Sequence, residues 1–278
     1  MPPQGGLPLL QRPANGQNPL VLEVSGLAKR YGEVWALHEL SVRVSAGSCL
    51  VLLGRNGAGK TTALRCMAGV LLPTEGRVQV DGIDVSEDPA AARARVGFMP
   101  EVPGLYERMS ARAYLEYFGA VYSVEPGRLQ GRIDELFDLF DLADAADRWL
   151  GSFSKGMRQK VALIRATLHQ PRLVLADEPT SALDPDSTRR AWKYLKGLQA
   201  AGCALVICTH NLDEAEQLAG SIGILSAGRV LALGDLDQLA HQSGLKPRRD
   251  VRRWPGLQDI YLAIVGEEDE VARGSLAG

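Results

Sequence analysis

A short apolar strand that runs into a glycine-rich loop constrains the fold of this chain more than any other feature. Residues Cys49–Leu53 are apolar throughout, as is typical of a strand buried on both faces. The residues from Gly54 to Thr61 match the pattern G-x-x-x-x-G-K-[ST], and residues 60–70 then have a helical pattern. This order predicts an α/β protein in which the loop between strand and helix binds phosphate groups.

The residue types of this loop suit a polyphosphate. Glycines let successive backbone N–H groups turn toward phosphate oxygens, and a helix N-terminus favours an anion. We expect Lys60 to bridge the β- and γ-phosphates and the Thr61 hydroxyl to ligate Mg²⁺. A purely structural glycine-rich turn is the alternative. The predicted nucleotide-binding residues of the loop are Gly54, Arg55, Asn56, Gly57, Ala58, Gly59, Lys60, Thr61 and Thr62.

A second apolar strand ends in two carboxylates. Asp177 and Glu178 directly follow the apolar residues 173–176. Adjacent side chains at a strand end point in opposite directions, so the two carboxylates can serve different purposes. We expect Asp177 to hold Mg²⁺ through water and Glu178 to act as the general base that polarises the attacking water. A solvated turn is the alternative for this pair.

Strand and helix patterns alternate along most of the chain. Such alternation predicts a mostly parallel α/β core, here interrupted by a nearly all-helical segment at about residues 101–170. Residues 1–19 are rich in Pro, Gly, Gln and Asn and predict a disordered tail. Strands are predicted at 20–24, 41–44, 78–80, 96–99, 204–208, 222–225 and 230–233, and helices at 111–122, 128–140, 155–169, 186–200 and 212–218.

Residues 237–278 are interpreted as a C-terminal extension. It contains a basic stretch at residues 246–253 and an amphipathic segment at residues 256–265. The basic stretch has two interpretations, a solvated loop or a contact with anionic lipid at a membrane surface. The sequence does not decide between them.

Charge and composition exclude several classes of protein. The 31 Lys and Arg residues and 33 Asp and Glu residues give a formal net charge of -2, so we expect no nucleic acid partner. No apolar run reaches the ~18–20 residues of a membrane span, and the first residues lack the pattern of a secretory signal. The four cysteines show no C-x-x-C spacing, which favours buried, reduced thiols in a cytoplasmic protein.

Together these motifs resemble the ATP-binding subunit of ABC transporters over about residues 20–239. Residues 152–160, Ser-Phe-Ser-Lys-Gly-Met-Arg-Gln-Lys, are similar to the signature of that family, usually written LSGGQ. The resemblance implies that Ser154, Lys155 and Gly156 approach a γ-phosphate. A helix N-cap at Ser154 is the alternative. The departures from the family signature are Phe153, Lys155 and Met157.

Three further segments resemble functional positions of the same family. His210 follows the strand at 204–208 and resembles the switch histidine, which contacts the γ-phosphate and orients the base and the water. Tyr31 resembles the aromatic residue that stacks on adenine. Residues 179–184 resemble the D-loop. A structural histidine and a partly buried core tyrosine are the alternatives for the first two.

One position departs from the family in a way that bears on coupling. Glu101 stands where the family usually has Gln, after the strand at 96–99. A carboxylate can ligate Mg²⁺ but cannot donate an amide hydrogen bond. We therefore predict a metal role for Glu101, whereas the chain lacks the Gln that in this family relays the nucleotide state to the membrane partner. Pro100 before Glu101, the Ser-Lys-Gly-Met signature and residues 104–108 and 257–262 resemble the ABC-2-type exporter branch.

The resemblance implies a complete architecture and mechanism. The fold would be a P-loop NTPase core with a mostly parallel sheet, an antiparallel β subdomain and an inserted α-helical subdomain, in an ATP-binding domain at residues 20–236. ATP and Mg²⁺ would be the cofactors. Two ATP-binding subunits, either two copies of this chain or this chain and a related one, would close head to tail. The ends of the helical insert would grip a separate integral membrane permease at the cytoplasmic face, and ATP hydrolysis would power export.

Two other functions remain open on the sequence. One is a soluble ABC ATPase that acts on nucleic acid or ribosomes, although the chain has one ATP-binding unit and no sustained heptads. The other is a nucleotide-binding regulator with little turnover, which the departures at Glu101, Lys155 and Met157 leave room for. Measurable ATPase activity would eliminate the regulator.

Overall fold

The computed structural model describes residues 18–244 together with residues 257, 260, 261, 263 and 264. The predicted tail at 1–19 lies outside the described residues except for positions 18 and 19, and the basic stretch at 246–253 lies wholly outside them. The strands are β1 (Leu20–Tyr31), β2 (Val34–Ser45), β3 (Cys49–Leu53), β4 (Glu75–Val80), β5 (Ile83–Asp84), β6 (Val96–Met99), β7 (Leu173–Asp177), β8 (Ala204–Thr209), β9 (Ser221–Ser226) and β10 (Arg229–Gly234).

The helices follow the predicted alternation. They are α1 (Lys60–Met67), α2 (Pro89–Ala94), α3 (Ala111–Val121), α4 (Pro126–Leu139), α5 (Lys155–Thr167), α6 (Pro185–Ala200), α7 (Leu212–Leu218) and α8 (Leu236–Gln242), with 3₁₀ turns at Ala143–Ala145 and Leu150–Ser152. None of these described helices is long and apolar enough to cross a membrane.

A six-stranded sheet forms the centre, in the order β10-β9-β3-β8-β7-β6. Its strands are parallel except β10, which pairs with β9 in the antiparallel sense. The register places Leu53 opposite Thr209 and Cys208 opposite Asp177. Because parallel strands end at the same edge, the residues that follow β3, β6, β7 and β8 meet there.

Both faces of this sheet are buried, which explains why β3, β7 and β8 are apolar throughout. On β3, Val51 and Leu53 belong to the core cluster on the side of α3 to α7, whereas Leu50 and Leu52 belong to the cluster on the side of α1. The four cysteines are buried and free, as expected, and burial raises the pKa of the Cys49 and Cys203 thiols to about 12.

A second, antiparallel sheet has the order β2-β1-β4-β5. Its first two strands are much longer than the predicted segments at 20–24 and 41–44, and β5 was not predicted. The register of β1 against β2 shifts between Val24 and Leu27, beside Gly26 with φ 59°. Such bulges break the alternation of apolar and polar residues on which the prediction relied.

The helices differ from the prediction mainly at their ends. Helix α1 ends at Met67 rather than near residue 70, since Gly69 adopts φ 63° two residues later. Helix α2 was missed because it has six residues and only Ala92 among them is buried, and α8 was missed as well. A capping box between Asp235 and Gln238 defines the start of α8, where the sequence showed only a weakly patterned tail. The predicted fold class, a mostly parallel core with an antiparallel β part and inserted helices, is confirmed.

Candidate active site

A cavity of about 490 Å³ opens where the glycine-rich loop meets the carboxyl ends of β6 and β7. It brings together most of the predicted loop residues with both acidic strand ends and Glu101. The lining residues are Ala36, Arg55, Asn56, Gly57, Ala58, Gly59, Lys60, Thr61, Thr62, Glu101, Asp177 and Glu178.

Two glycines of the loop are required by close backbone packing. A Cβ atom on Gly54 would lie 2.4 Å from the Leu225 carbonyl oxygen, so this residue lies against β9 behind the cavity. Gly59 has φ 101°, and a Cβ there would lie 2.6 Å from the Ala36 carbonyl oxygen. Gly59 is also the N-cap of α1, and no described side chain caps this helix. The first amides of α1 are therefore available to an anion.

Lys60 places a buried cation on the wall of the cavity. Its Nζ donates hydrogen bonds to the carbonyl oxygens of Gly54 at 2.6 Å and Arg55 at 3.2 Å, and lies 3.9 Å from Glu178 Oε1. A buried ammonium group is strongly unfavourable without such partners. The loop therefore keeps a positive charge in place within reach of a phosphate.

Thr61 and Asp177 face each other across the cavity floor. The Thr61 hydroxyl donates to Asp177 Oδ2 at 2.6 Å. Burial raises the pKa of Asp177, and the negative charges of Glu101 and Glu178 raise it further. A divalent cation would relieve this repulsion, so the three predicted metal residues, Thr61, Glu101 and Asp177, have donor types that suit Mg²⁺.

The described residues contain no group of three or more His, Cys, Asp or Glu side chains that could hold a metal ion by themselves. Mg²⁺ typically binds through one or two carboxylates together with substrate phosphates. The donor set therefore fits an ion that arrives with a nucleotide.

Glu178 and His210 form a hydrogen-bonded pair at the same edge of the sheet. Glu178 Oε1 lies 2.7 Å from His210 Nδ1, and Oε2 accepts a hydrogen bond from the Thr209 hydroxyl at 3.3 Å. The Glu178 side chain is 7% exposed, whereas that of His210 is 60% exposed. Glu178 also adopts φ 50°, an unusual value for a residue with a Cβ. Such strain is found at functional sites.

Two buried polar residues close to this pair were not predicted from the sequence. Gln159, on α5, donates from Nε2 to the Glu178 carbonyl oxygen at 2.8 Å. Glu214, on α7, accepts from the Thr180 hydroxyl at 2.8 Å and from Trp192 Nε1 at 3.3 Å, and burial raises its pKa. A polar side chain on the buried side of an amphipathic helix was the available signal.

The remaining predicted residues lie apart from the cavity of their own chain. Tyr31 ends β1, is 48% exposed, and has Lys29 Nζ 5.5 Å from its ring centroid. Ser154 is the N-cap of α5 and accepts a hydrogen bond from the Met157 amide at 3.2 Å. A Cβ on Gly156 would lie 2.8 Å from the Ala182 carbonyl oxygen, so this glycine is needed for packing in any case.

Comparison with known proteins assigns the family. Residues 37–181 match the family described as ABC transporter. The chain is 38% identical over 223 residues to the daunorubicin resistance ATP-binding protein DrrA3 of Streptomyces coeruleorubidus, covering 80% of this chain and 71% of that protein. The chain belongs to the ABC transporter family. This ABC transporter chain is also 34% identical to the Nod factor export ATP-binding protein I of Ralstonia nicotianae, over 84% of its own length and 72% of that protein.

Two solved structures resemble this ABC transporter chain. One is an ATP-binding subunit of an ABC transporter, with 30% identity and a TM-score of 0.82 over 88% of this chain and 99% of that one. The other is the dimeric cassette MJ0796, described as a bacterial ABC transporter cassette, with 25% identity and a TM-score of 0.72 over 77% and 98%. The family, the ATPase class and the P-loop NTPase fold predicted from the sequence are confirmed.

Proposed function

We propose that this chain binds ATP with Mg²⁺ in the cavity at the glycine-rich loop and hydrolyses it to drive a separate membrane permease. The observation that carries this proposal is the convergence of Lys60, the Thr61–Asp177 pair and the Glu178–His210 pair on one edge of the sheet. We take residues 20–236 as the ATP-binding domain.

Each side chain has a distinct part in the proposed reaction. Lys60 and the amides that open α1 bind the β- and γ-phosphates. Glu178 accepts a proton from the attacking water, and His210 holds the Glu178 carboxylate through its Nδ1 contact. Thr61 and Asp177, with Glu101 beside them, would hold Mg²⁺, which neutralises charge that develops on the phosphate oxygens.

The exposed signature residues support a dimer. Ser154 and Lys155 are exposed at the N-terminus of α5 and lie apart from the cavity of their own chain. The family resemblance implies that these residues bind a γ-phosphate. Because they lie apart from the cavity of their own chain, that phosphate would belong to the nucleotide of a second subunit, as in a head-to-tail dimer. The dimeric MJ0796 cassette offers a structural precedent. The partner is a second copy or a related ATP-binding subunit.

An apolar, aromatic surface supports a permease partner. Val102 is 80% exposed, and Tyr106, Tyr117 and Val121 are each about half exposed on the adjoining loop and on α3. Tyr106 and Tyr117 lie 6.0 Å apart by ring centroid. Patches of this composition typically mark a protein interface. This surface begins directly after Glu101, which lines the cavity. Binding of a permease to the surface would therefore act on the cavity through Glu101.

The relatives support export as the direction of transport. DrrA3 is named for drug resistance and the Ralstonia protein for Nod factor export. We therefore propose that the chain serves an exporter at the cytoplasmic face of the cell membrane.

A pull-down tests this function. Tagged Glu178→Gln protein is recovered from detergent-solubilised membranes with ATP present, and its partners are identified by mass spectrometry. A multi-spanning partner at one-to-one stoichiometry is the expected result. Recovery with ribosomes or nucleic acid would move the function to the soluble class, and lack of ATPase activity in the purified chain would favour the regulator.

A further inference from the structure

The C-terminal residues that the structure describes pack against α7, the helix that follows His210. Leu257 and Ile260 are fully buried in the core cluster on this side of the sheet. The Leu257 amide donates a hydrogen bond to Glu216 Oε1, on α7, at 2.8 Å. Helix α7 contacts β3 and β8 as well. The C-terminal residues are thus anchored to α7, which begins two residues after His210.

This anchor places Tyr261 at a cavity that His210 and the glycine-rich loop also line. Tyr261 is half-buried and lines a second cavity, of about 430 Å³, together with Arg55, Asn56, His210 and Leu212. Arg55 and Asn56 belong to the glycine-rich loop. A residue from the C-terminal extension therefore shares a cavity with the loop and with the histidine that contacts Glu178.

The orientation of the His210 imidazole is only weakly fixed by its own hydrogen bonding. In the described part of the chain it has one hydrogen bond, to Glu178 Oε1, and it is 60% exposed. A single hydrogen bond contributes only about 1 kcal/mol net, so it does not by itself fix an exposed imidazole. The adjoining cavity offers the space into which the ring would rotate.

We propose that Tyr261 is a positioning residue for His210: its ring, held by the Leu257 and Ile260 anchor, limits the cavity and keeps the imidazole on Glu178. The inference rests on the proposed function, in which His210 holds the general base. It gives the C-terminal extension a part in the hydrolysis step. Misplacement of an acid–base partner slows turnover and leaves ATP binding at the loop intact.

The first test uses nucleotide-free protein and so does not depend on activity. The chain has four histidines, which makes ring-labelled NMR spectra readable. Tyr261→Ala is expected to shift and average the two ring-nitrogen signals of His210 while those of His38 stay unchanged. Tyr261→Phe keeps the ring and should leave all four histidines as in the wild type. Unchanged His210 signals in Tyr261→Ala would overturn the inference.

The second test measures steady-state ATPase activity of the full chain. Tyr261→Ala is expected to lower kcat at least ~5-fold with KM for ATP within about twofold, while Tyr261→Phe retains the wild-type kcat. Leu139→Ala is the matched control, because Leu139 is a partly exposed apolar side chain on α4 and should change neither constant.

A double-variant cycle separates positioning from general damage. If Tyr261 acts through His210, Tyr261→Ala has no further effect in single-turnover assays of the His210→Ala protein. The same fold loss in both backgrounds would refute the inference. Tyr261→Leu replaces Tyr261→Ala if thermal unfolding shows that the alanine variant is destabilised. A wild-type chain without ATPase activity would refute the proposed function, whereas the NMR test would still decide whether Tyr261 positions His210.

Discussion

Replacement of Glu178 by Gln separates the chemistry of the site from its ability to bind ATP. The substitution keeps the size of the side chain and removes one negative charge from a carboxylate that is 7% exposed. Loss of a general base slows a reaction about 10²- to 10⁴-fold, which corresponds to about 3–5 kcal/mol on the activation barrier. We therefore expect kcat to fall at least ~100-fold.

The same substitution should not weaken ATP binding. Lys60 Nζ lies 3.9 Å from Glu178 Oε1, and a charge pair at that distance attracts by about 4 kcal/mol before desolvation is counted. In the Gln variant, Lys60 no longer pairs with a carboxylate and therefore attracts a phosphate more strongly. The repulsion between Glu178 and the phosphate is also lost. The Kd for ATP should stay the same or decrease.

Three measurements check this prediction. Phosphate release gives the rate, equilibrium titration gives the Kd for ATP, and gel filtration with ATP gives the mass of the complex, which should be a stable dimer. Glu135→Gln is the control, because Glu135, on α4, pairs with Arg132 and does not line the cavity. A Glu178→Gln rate within tenfold of the wild type would refute the assignment of the base, and a monomer with ATP would refute the head-to-tail dimer.

Three further predictions follow from the same geometry. Lys60→Ala should weaken ATP binding on the order of 10- to 100-fold in equilibrium titration, and near-normal ATPase activity would contradict the loop assignment. Glu101→Gln removes a negative charge beside Asp177 and should raise the Mg²⁺ concentration for half-maximal ATPase activity on the order of 10-fold; an unchanged Mg²⁺ titration would exclude a metal role. Burial lowers the pKa of His169 from 6.5 to about 4, so the unfolded chain binds more protons between these values and stability falls as pH is lowered through them. His169→Phe preserves the stack on Tyr122 and should be less sensitive to this pH change by about 3 kcal/mol in denaturant titrations; parallel curves for both proteins would contradict the assignment.

Much of the fold followed from patterns that are short in sequence. The apolar strands β3, β7 and β8 were predicted because both of their faces are buried, so each carries its own signal. The antiparallel sheet was predicted less well. Its bulge at Gly26 arises from pairing with distant strands, and a local periodicity cannot report such pairing.

The candidate site divides in the same way. A phosphate-binding loop needs glycines at fixed spacing, a lysine and a hydroxyl, so residues Gly54 to Thr61 predict such a loop. The position of Asp177 and Glu178 at a strand end predicts their roles. The patterns that predict these residues are local, so the sequence by itself determined which residues to expect at the site.

Only the tertiary structure decided which distant side chains support these residues. Gln159 reaches the Glu178 carbonyl oxygen from α5, Glu214 joins α7 to Thr180, and Tyr261 lines a cavity together with His210. Gln159, Glu214 and Tyr261 are each one polar or aromatic residue among many in their own segments. Which residue each of them lies against depends on how the helices pack on the sheet. That packing depends on the whole core rather than on any short stretch of sequence.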